Sequence, residues 1–109
     1  MSQLIRRHCQ PIPKGTPALE PNEVSELIGS LHGWNNLDNT AIERAFSFKN
    51  FYETIAFVNA VAWIANREDH HPDLQVGYNR CVVRFNTHSV RGLSENDFIC
   101  AAKVDSLQS

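Results

Sequence analysis

The chain has 109 residues, of which 42% are apolar, and this is enough for one compact domain and too few for two. Ten Lys and Arg against twelve Asp and Glu give a net charge of -2 at pH 7. A chain without excess positive charge has no long-range field that attracts phosphate backbones, which disfavours nucleic acid as a direct partner. No apolar run approaches the length of a membrane span, and the N-terminus lacks the apolar core of a secretory leader, so we expect no membrane association and a cytoplasmic protein.

Three cysteines, Cys9, Cys81 and Cys100, are widely spaced along the chain. Their spacing indicates neither a disulfide framework nor a four-thiolate metal site, and it favours a reducing compartment. Cys81 and Cys100 are predicted to be small buried residues rather than nucleophiles.

The first twenty residues contain several prolines and no sustained apolar period, which predicts an irregular arm over residues 1–20. A single domain is predicted over residues 21–109. Its first helix follows from the spacing of Val24, Leu27, Ile28 and Leu31, with Gly33 expected at the C-terminal end.

A hairpin is predicted next, with strands over residues 34–37 and 41–48. Ile42, Phe46 and Phe48 alternate with polar or small residues and would form its buried face. Arg44 falls on the same face, so we expect it near an edge or extended to solvent along its aliphatic stem. Trp34 is expected to be an anchor in the core or in an interface.

The central helix has the strongest pattern in the sequence. Asn50 and Glu53 have capping-box spacing, and the helix must end before Pro72. One apolar stripe contains Phe51, Ile55, Val58, Ala62 and Ala65, and an adjoining stripe contains Phe57, Val61 and Ile64. Two stripes are wider than one sheet contact needs, so part of this surface is expected to pack on the last helix or on another subunit.

A second hairpin is predicted over residues 74–78 and 80–87, turning about the 79/80 bond. Ser94 and Asp97 have capping-box spacing at the start of a last helix, and Asp97 is predicted to be a helix cap. The element order α-β-β-α-β-β-α predicts an α+β fold, a two-layer sandwich of a four-stranded antiparallel sheet with helices on one face.

Three histidines, His70, His71 and His88, lie at predicted chain reversals, where sites are commonly built. A turn about the 79/80 bond would place His88 opposite His71. The stretch around His70 could be only a polar helix exit, because cations and proline are favoured there. A metal site is a second interpretation, although the usual zinc spacings are absent. Proton transfer by several imidazoles is the third, and the clustering of the histidines favours it.

Four segments together resemble the pterin-4a-carbinolamine dehydratases: EDHHPDL at 68–74, Tyr78, NTH at 86–88 and GLSENDF at 92–98. The resemblance implies dehydration of a 4a-hydroxytetrahydropterin to the quinonoid dihydropterin, without a metal or an organic cofactor. It implies that His70, His71 and His88 are catalytic.

The resemblance also implies which residues contact the pterin, namely Asp69, Asn86, Thr87 and Ser89. Many relatives have an acidic residue where this chain has Asn66, and Glu68 and Asp69 are the candidates to replace it. The resemblance also implies a homodimer or a homotetramer. The alternative function is a non-catalytic one, in which the same fold binds a protein partner as an assembly or transcription cofactor.

Overall fold

The fold follows the predicted order of elements. The computed structural model describes residues 3–108, so the first two residues of the predicted arm and the last residue of the predicted domain lie outside it. The helices are α1 (Pro21–Ile28), α2 (Phe51–Glu68) and α3 (Glu95–Asp105). The strands are β1 (Asn35–Leu37), β2 (Ala41–Ser47), β3 (Asp73–Val76) and β4 (Arg80–Phe85). Within residues 3–108, no helix is both long enough and apolar enough to cross a membrane.

The four strands form one antiparallel sheet in the order β1-β2-β4-β3. The two hairpins meet along β2 and β4, where Ile42 pairs with Phe85 and Ser47 with Arg80. Alternate residues of β4, Cys81, Val83 and Phe85, are fully buried beneath the helices. One face of the sheet therefore carries the core, which confirms the predicted α+β sandwich.

Aromatic side chains fill the core between sheet and helices. Phe46, Phe85 and Phe98 are among the largest fully buried residues. The Trp34 ring lies 6.3 Å from that of Phe46 and 6.0 Å from that of Phe85, and its Nε1 donates to Asp105 Oδ1 at 2.8 Å. Trp34 is a core anchor, as expected, and its one polar atom is paired.

Helix α2 begins at the predicted cap and ends before Pro72, but only half of the predicted capping box is present, because Glu53 Oε1 accepts from the Lys49 backbone N–H at 3.2 Å. The Asn50 side chain accepts a hydrogen bond from the Glu53 backbone N–H at 2.9 Å, and Asp69 ends the helix in the left-handed conformation, with φ 53°. The stripe that packs on the core is Phe57, Val61 and Ile64, whereas Phe51 and Ala62 of the first stripe are exposed. Two adjacent apolar stripes share one period, so periodicity alone does not show which of them faces the sheet.

Arg44 differs from its prediction, because it neither lies at an edge nor extends into solvent. Its guanidinium lies over the Phe46 ring at 4.5 Å, and Nη1 donates to Asp105 Oδ1 and to the His32 carbonyl oxygen, both at 2.8 Å. The Asp105 carboxylate at the end of α3 provides the partner that a cation on the core face requires. Gly33 also differs, because α1 is capped by Gly29 and Gly33 lies in the turn against Arg44.

The second hairpin turns one residue earlier than predicted. Asp73 pairs with Arg84 and Val76 with Cys81, which centres the turn between Tyr78 and Asn79. The pairing of His88 with His71 was therefore wrong, because β4 ends at Phe85 and His88 begins a short 3-10 turn, His88–Val90. The Gly77 backbone N–H donates to the Arg80 carbonyl oxygen at 2.8 Å, which closes the turn before the expected position.

Candidate active site

The three predicted histidines lie at the same end of the second hairpin, opposite its turn. His70 and His71 precede β3, and His88 follows β4. Because Asp73 at the start of β3 pairs with Arg84 near the end of β4, the segment before β3 and the segment after β4 lie at the same end of the two strands, referred to below as the histidine edge. The antiparallel pairing thus brings together chain positions that are far apart in sequence, although the register is not the one predicted.

His70 is held by a fully buried carboxylate. Its Nε2 lies 2.6 Å from Asp97 Oδ1, and Asp97 has no exposed surface. The imidazole ring stacks on Phe85, with ring centroids 5.9 Å apart and planes 9° from parallel. An ionised carboxylate only accepts hydrogen bonds, so His70 carries a proton on Nε2. Nδ1 is then the ring nitrogen that can exchange a proton with a ligand.

The other oxygen of Asp97 organises the neighbouring chain. Asp97 Oδ2 accepts hydrogen bonds from Thr87 Oγ1 at 2.8 Å and from the Ser94 backbone N–H at 2.9 Å. The capping box of Ser94 and Asp97 is present, which confirms the predicted role of Asp97 at the start of α3. Its contact with His70 was not predicted, because capping spacing is a local signal and the packing of α3 against the end of α2 is not.

His71 and His88 are both exposed. Within residues 3–108, neither imidazole has a hydrogen-bond partner, in contrast to His70. The turn that begins with His88 ends at Arg91, which adopts the left-handed conformation with φ 55°. Two of the three rings are therefore free to meet a ligand at this edge, and the third is fixed.

The residues expected to contact a pterin lie on the same two segments. Asp69 and Ser89 are exposed and Asn86 is half-buried. Thr87 is buried, and its hydroxyl contacts Ser94 Oγ at 2.7 Å in addition to Asp97. The Thr87 hydroxyl is thus occupied by the protein and supports the carboxylate that holds His70.

Glu68 does not replace the acidic residue that many relatives have in place of Asn66. Its buried carboxylate accepts hydrogen bonds from the Cys9 backbone N–H at 2.7 Å and from His8 Nδ1 at 2.9 Å. Burial by itself raises the pKa of Glu68, but these two hydrogen bonds and the positive charge of Lys103 outweigh burial and leave that pKa lowered. Glu68 therefore anchors the N-terminal arm, and the carboxylate beside His70 is supplied by α3.

Two other features of the described residues bear on ligands. Between residues 3 and 108, no group of three or more His, Cys, Asp or Glu side chains is arranged to hold a metal ion. A cleft of about 420 Å³ lies between the arm, α2 and the end of α3, and Trp63, Lys103 and Leu107 are part of its lining. None of the three histidines lines this cleft, so it is separate from the histidine edge.

Comparison of the sequence with known proteins gives a consistent result. The family model described as pterin 4 alpha carbinolamine dehydratase matches residues 17–107. A protein of Nitrosospira multiformis is 55% identical over 107 residues, which cover 98% of this chain and 94% of that protein. A protein of Legionella pneumophila strain Corby is 56% identical over 108 residues, which cover 97% of this chain and 96% of that protein. Both are provisionally named pterin-4-alpha-carbinolamine dehydratase.

Solved structures agree with the fold. The crystal structure of a transcriptional coactivator/pterin dehydratase from Brucella melitensis superimposes with a TM-score of 0.80 at 36% identity, covering 84% of this chain and 98% of that one. A pterin dehydratase-like protein identified as a RuBisCO assembly factor in the alpha-carboxysome superimposes with a TM-score of 0.60 at 23% identity, covering 70% of this chain and 89% of that one. The second likeness extends to the fold alone. This chain belongs to the pterin 4 alpha carbinolamine dehydratase family.

Proposed function

We propose that the protein dehydrates a 4a-hydroxytetrahydropterin to the quinonoid dihydropterin in the cytoplasm, with His70, His71 and His88 as the acid and base groups. Residues 21–109 form the catalytic domain in this proposal, and residues 1–20 an arm. Family membership supports the reaction class. The observation that carries the mechanism is the 2.6 Å contact between His70 Nε2 and the buried Asp97 carboxylate, at the edge where the other two histidines lie.

The reaction needs two proton transfers. A proton is delivered to the departing 4a-hydroxyl, which leaves as water, and another is removed from N5 of the pterin. Imidazole is suited to both steps because it exchanges protons near neutral pH. Asp97 fixes the tautomer and the orientation of the His70 ring, so that Nδ1 is the nitrogen that meets the ligand.

The remaining groups have supporting roles in this proposal. His71 and His88 are exposed and have no hydrogen-bond partner among residues 3–108, so their nitrogens are available to the pterin. Asp69, Asn86, Thr87 and Ser89 form the binding surface around them. The Thr87 hydroxyl is already bonded to Asp97, so Thr87 contacts the ligand through its other atoms.

Three single substitutions, His70→Ala, His71→Ala and His88→Ala, test the mechanism. The measured quantity is the rate of carbinolamine breakdown above the spontaneous rate, and removing a proton-transfer group should lower it about 10²- to 10⁴-fold. His32→Ala is the matched control, because His32 is exposed and its hydrogen bonds to the other described residues are formed by its backbone. Wild-type protein that does not exceed the spontaneous rate would reject the enzyme. Activity that is abolished by chelation and restored by a metal ion would reject the metal-free mechanism.

A non-catalytic role in binding a protein is the second candidate. Exposed aromatic side chains on the outer surface of α2 favour it: Tyr52 is 84% exposed, Trp63 is 63% exposed and Phe51 is 50% exposed. The same surface could join subunits of a homodimer or homotetramer. A partner protein that binds His70→Ala as tightly as wild type, while wild type shows no dehydratase activity, would favour the binding role.

A further inference from the structure

The N-terminal arm brings a second cysteine against α3. Cys9 Sγ lies 3.5 Å from Cys100 Sγ, although 91 positions separate the two residues. Cys9 is half-buried, Cys100 is buried, and both are free thiols. A disulfide has a sulfur–sulfur distance of about 2.05 Å, so a movement of about 1.5 Å would join the two sulfur atoms.

Hydrogen bonds on both sides of Cys9 hold it in this position. The Cys9 backbone N–H and His8 Nδ1 both donate to the Glu68 carboxylate. On the other side, the Gln10 backbone N–H donates to Asn96 Oδ1 at 3.1 Å, and Asn96 Nδ2 donates to the Gln10 carbonyl oxygen at 2.9 Å. The arm is thus fastened to α2 and to the first turn of α3, which keeps the two thiols together.

We propose that Cys9 and Cys100 are a redox-active pair, which a hydroperoxide converts into an intramolecular disulfide between the arm and α3. The Cys9 thiolate attacks the peroxide O–O bond, giving a Cys9 sulfenic acid and releasing the alcohol, or water from hydrogen peroxide. Cys100 then attacks the Cys9 sulfur, and the hydroxyl leaves as water with the Cys100 proton. Two thiols are oxidised by two electrons in total, and one peroxide is reduced by two. This inference goes beyond the proposed dehydration and does not depend on it.

The environments of the two thiols fix the order of these steps. Cys9 is the more accessible of the two, so peroxide reaches it first. The hydrogen bond with Cys9 and burial both raise the pKa of Cys100, so Cys100 is the less reactive thiol toward peroxide; it attacks only after Cys9 is oxidised, when the departing sulfenic hydroxyl takes up the Cys100 proton. Cys100 is therefore the resolving cysteine. Cys81 is buried elsewhere in the sheet, at the pair with Phe46, and takes no part.

Tryptic mapping can test the pair directly, because the three cysteines fall in three different peptides, residues 8–14, 81–84 and 92–103. Reduced full-length protein is treated with hydrogen peroxide; the intact mass of one portion is measured directly, and another portion is alkylated before digestion. We expect a monomer lighter by about 2 Da, which corresponds to one disulfide. Peptide 8–14 should be joined to peptide 92–103, with Cys81 reduced. A reducing agent should restore the original mass.

Two variants serve as a matched pair. Cys9→Ser should abolish the loss of mass, and Cys81→Ser should retain it. Closing so long a loop restricts the unfolded chain, so the oxidised protein should melt about 5 to 15 °C above the reduced protein. The proposal is overturned if natively folded protein accumulates sulfinic or sulfonic acid on Cys9 while Cys100 stays reduced, or if the only disulfides formed join two chains. Each of these readouts is independent of dehydratase activity.

Discussion

Substitution of Asp97 by Asn tests whether the buried carboxylate sets the protonation of His70. The amide has nearly the same shape as the carboxylate, but it has one oxygen in place of two. That oxygen can keep the hydrogen bonds from Ser94 N–H and Thr87 Oγ1. The amide NH₂ then takes the place of Asp97 Oδ1, which lies 2.6 Å from His70 Nε2 in the wild-type protein. Nε2 must then accept a hydrogen bond, so the proton of the neutral ring moves to Nδ1.

The size of the effect follows from these contacts. A hydrogen bond to a charged group contributes more to stability than a neutral one, so Asp97→Asn should lower the free energy of unfolding by about 1 to 2 kcal/mol. His70 then has the wrong tautomer, with its proton on the nitrogen that would exchange a proton with the ligand. We expect a fall in kcat of about 10²- to 10⁴-fold, which corresponds to about 3 to 5 kcal/mol of activation free energy.

Asp105→Asn provides the control. Asp105 is a second, largely buried carboxylate on α3, bonded to Trp34 and Arg44 rather than to a histidine. Urea denaturation should show a loss of stability in both variants, whereas the rate of quinonoid dihydropterin formation should fall only in Asp97→Asn. Nitrogen-15 NMR of the His70 ring should show protonated Nε2 in wild type and protonated Nδ1 in Asp97→Asn. A folded Asp97→Asn protein with wild-type kcat, or an equal loss of kcat in Asp105→Asn, would refute the reasoning.

Three further predictions concern the arm, α2 and assembly. Because the pKa of Glu68 is lowered in the folded state, its stabilising effect is complete above the ordinary value of 4.5 and is lost as pH falls below that value. Glu68→Gln should therefore lower the free energy of unfolding near neutral pH. It should also reduce the loss of that free energy at acid pH, measured by urea denaturation across the pH range. Asn50→Ala removes the cap of α2 and should cost about 1 kcal/mol of unfolding free energy, measured by thermal denaturation. Trp63→Glu should reduce the oligomer mass in sedimentation, whereas Tyr78→Glu on the exposed hairpin turn should not, and an unchanged mass would exclude the α2 surface from assembly.

Local patterns in the sequence predicted the elements well. The caps at Asn50 and Ser94 and the alternation along β4 depend on neighbours within a few residues, and the structure contains each of them. The centre of the second turn was predicted one residue late, because several polar residues there allow more than one turn. The sequence also did not determine which apolar stripe of α2 packs on the sheet, since two adjacent stripes have the same period.

Contacts between distant elements were beyond the sequence patterns. Asp97 was predicted as a cap and is one, but its bond to His70 depends on how α3 docks against the end of α2. Glu68 was a candidate partner for the histidines and instead binds the arm, which curls back from the other end of the chain. Arg44 lies on the core face because it bonds Asp105, which is 61 positions away in the sequence. In each case the missing information is the location of an opposite charge or donor, which a single sequence does not provide.

The double engagement of Asp97 links local dynamics to function. One carboxylate closes the first turn of α3 and immobilises the His70 ring, so fraying of that turn also frees the ring. The amide of Ser94 should consequently exchange with deuterium through the same opening that interrupts turnover. Mild denaturant should accelerate that exchange and reduce catalysis in parallel, well before the sheet unfolds.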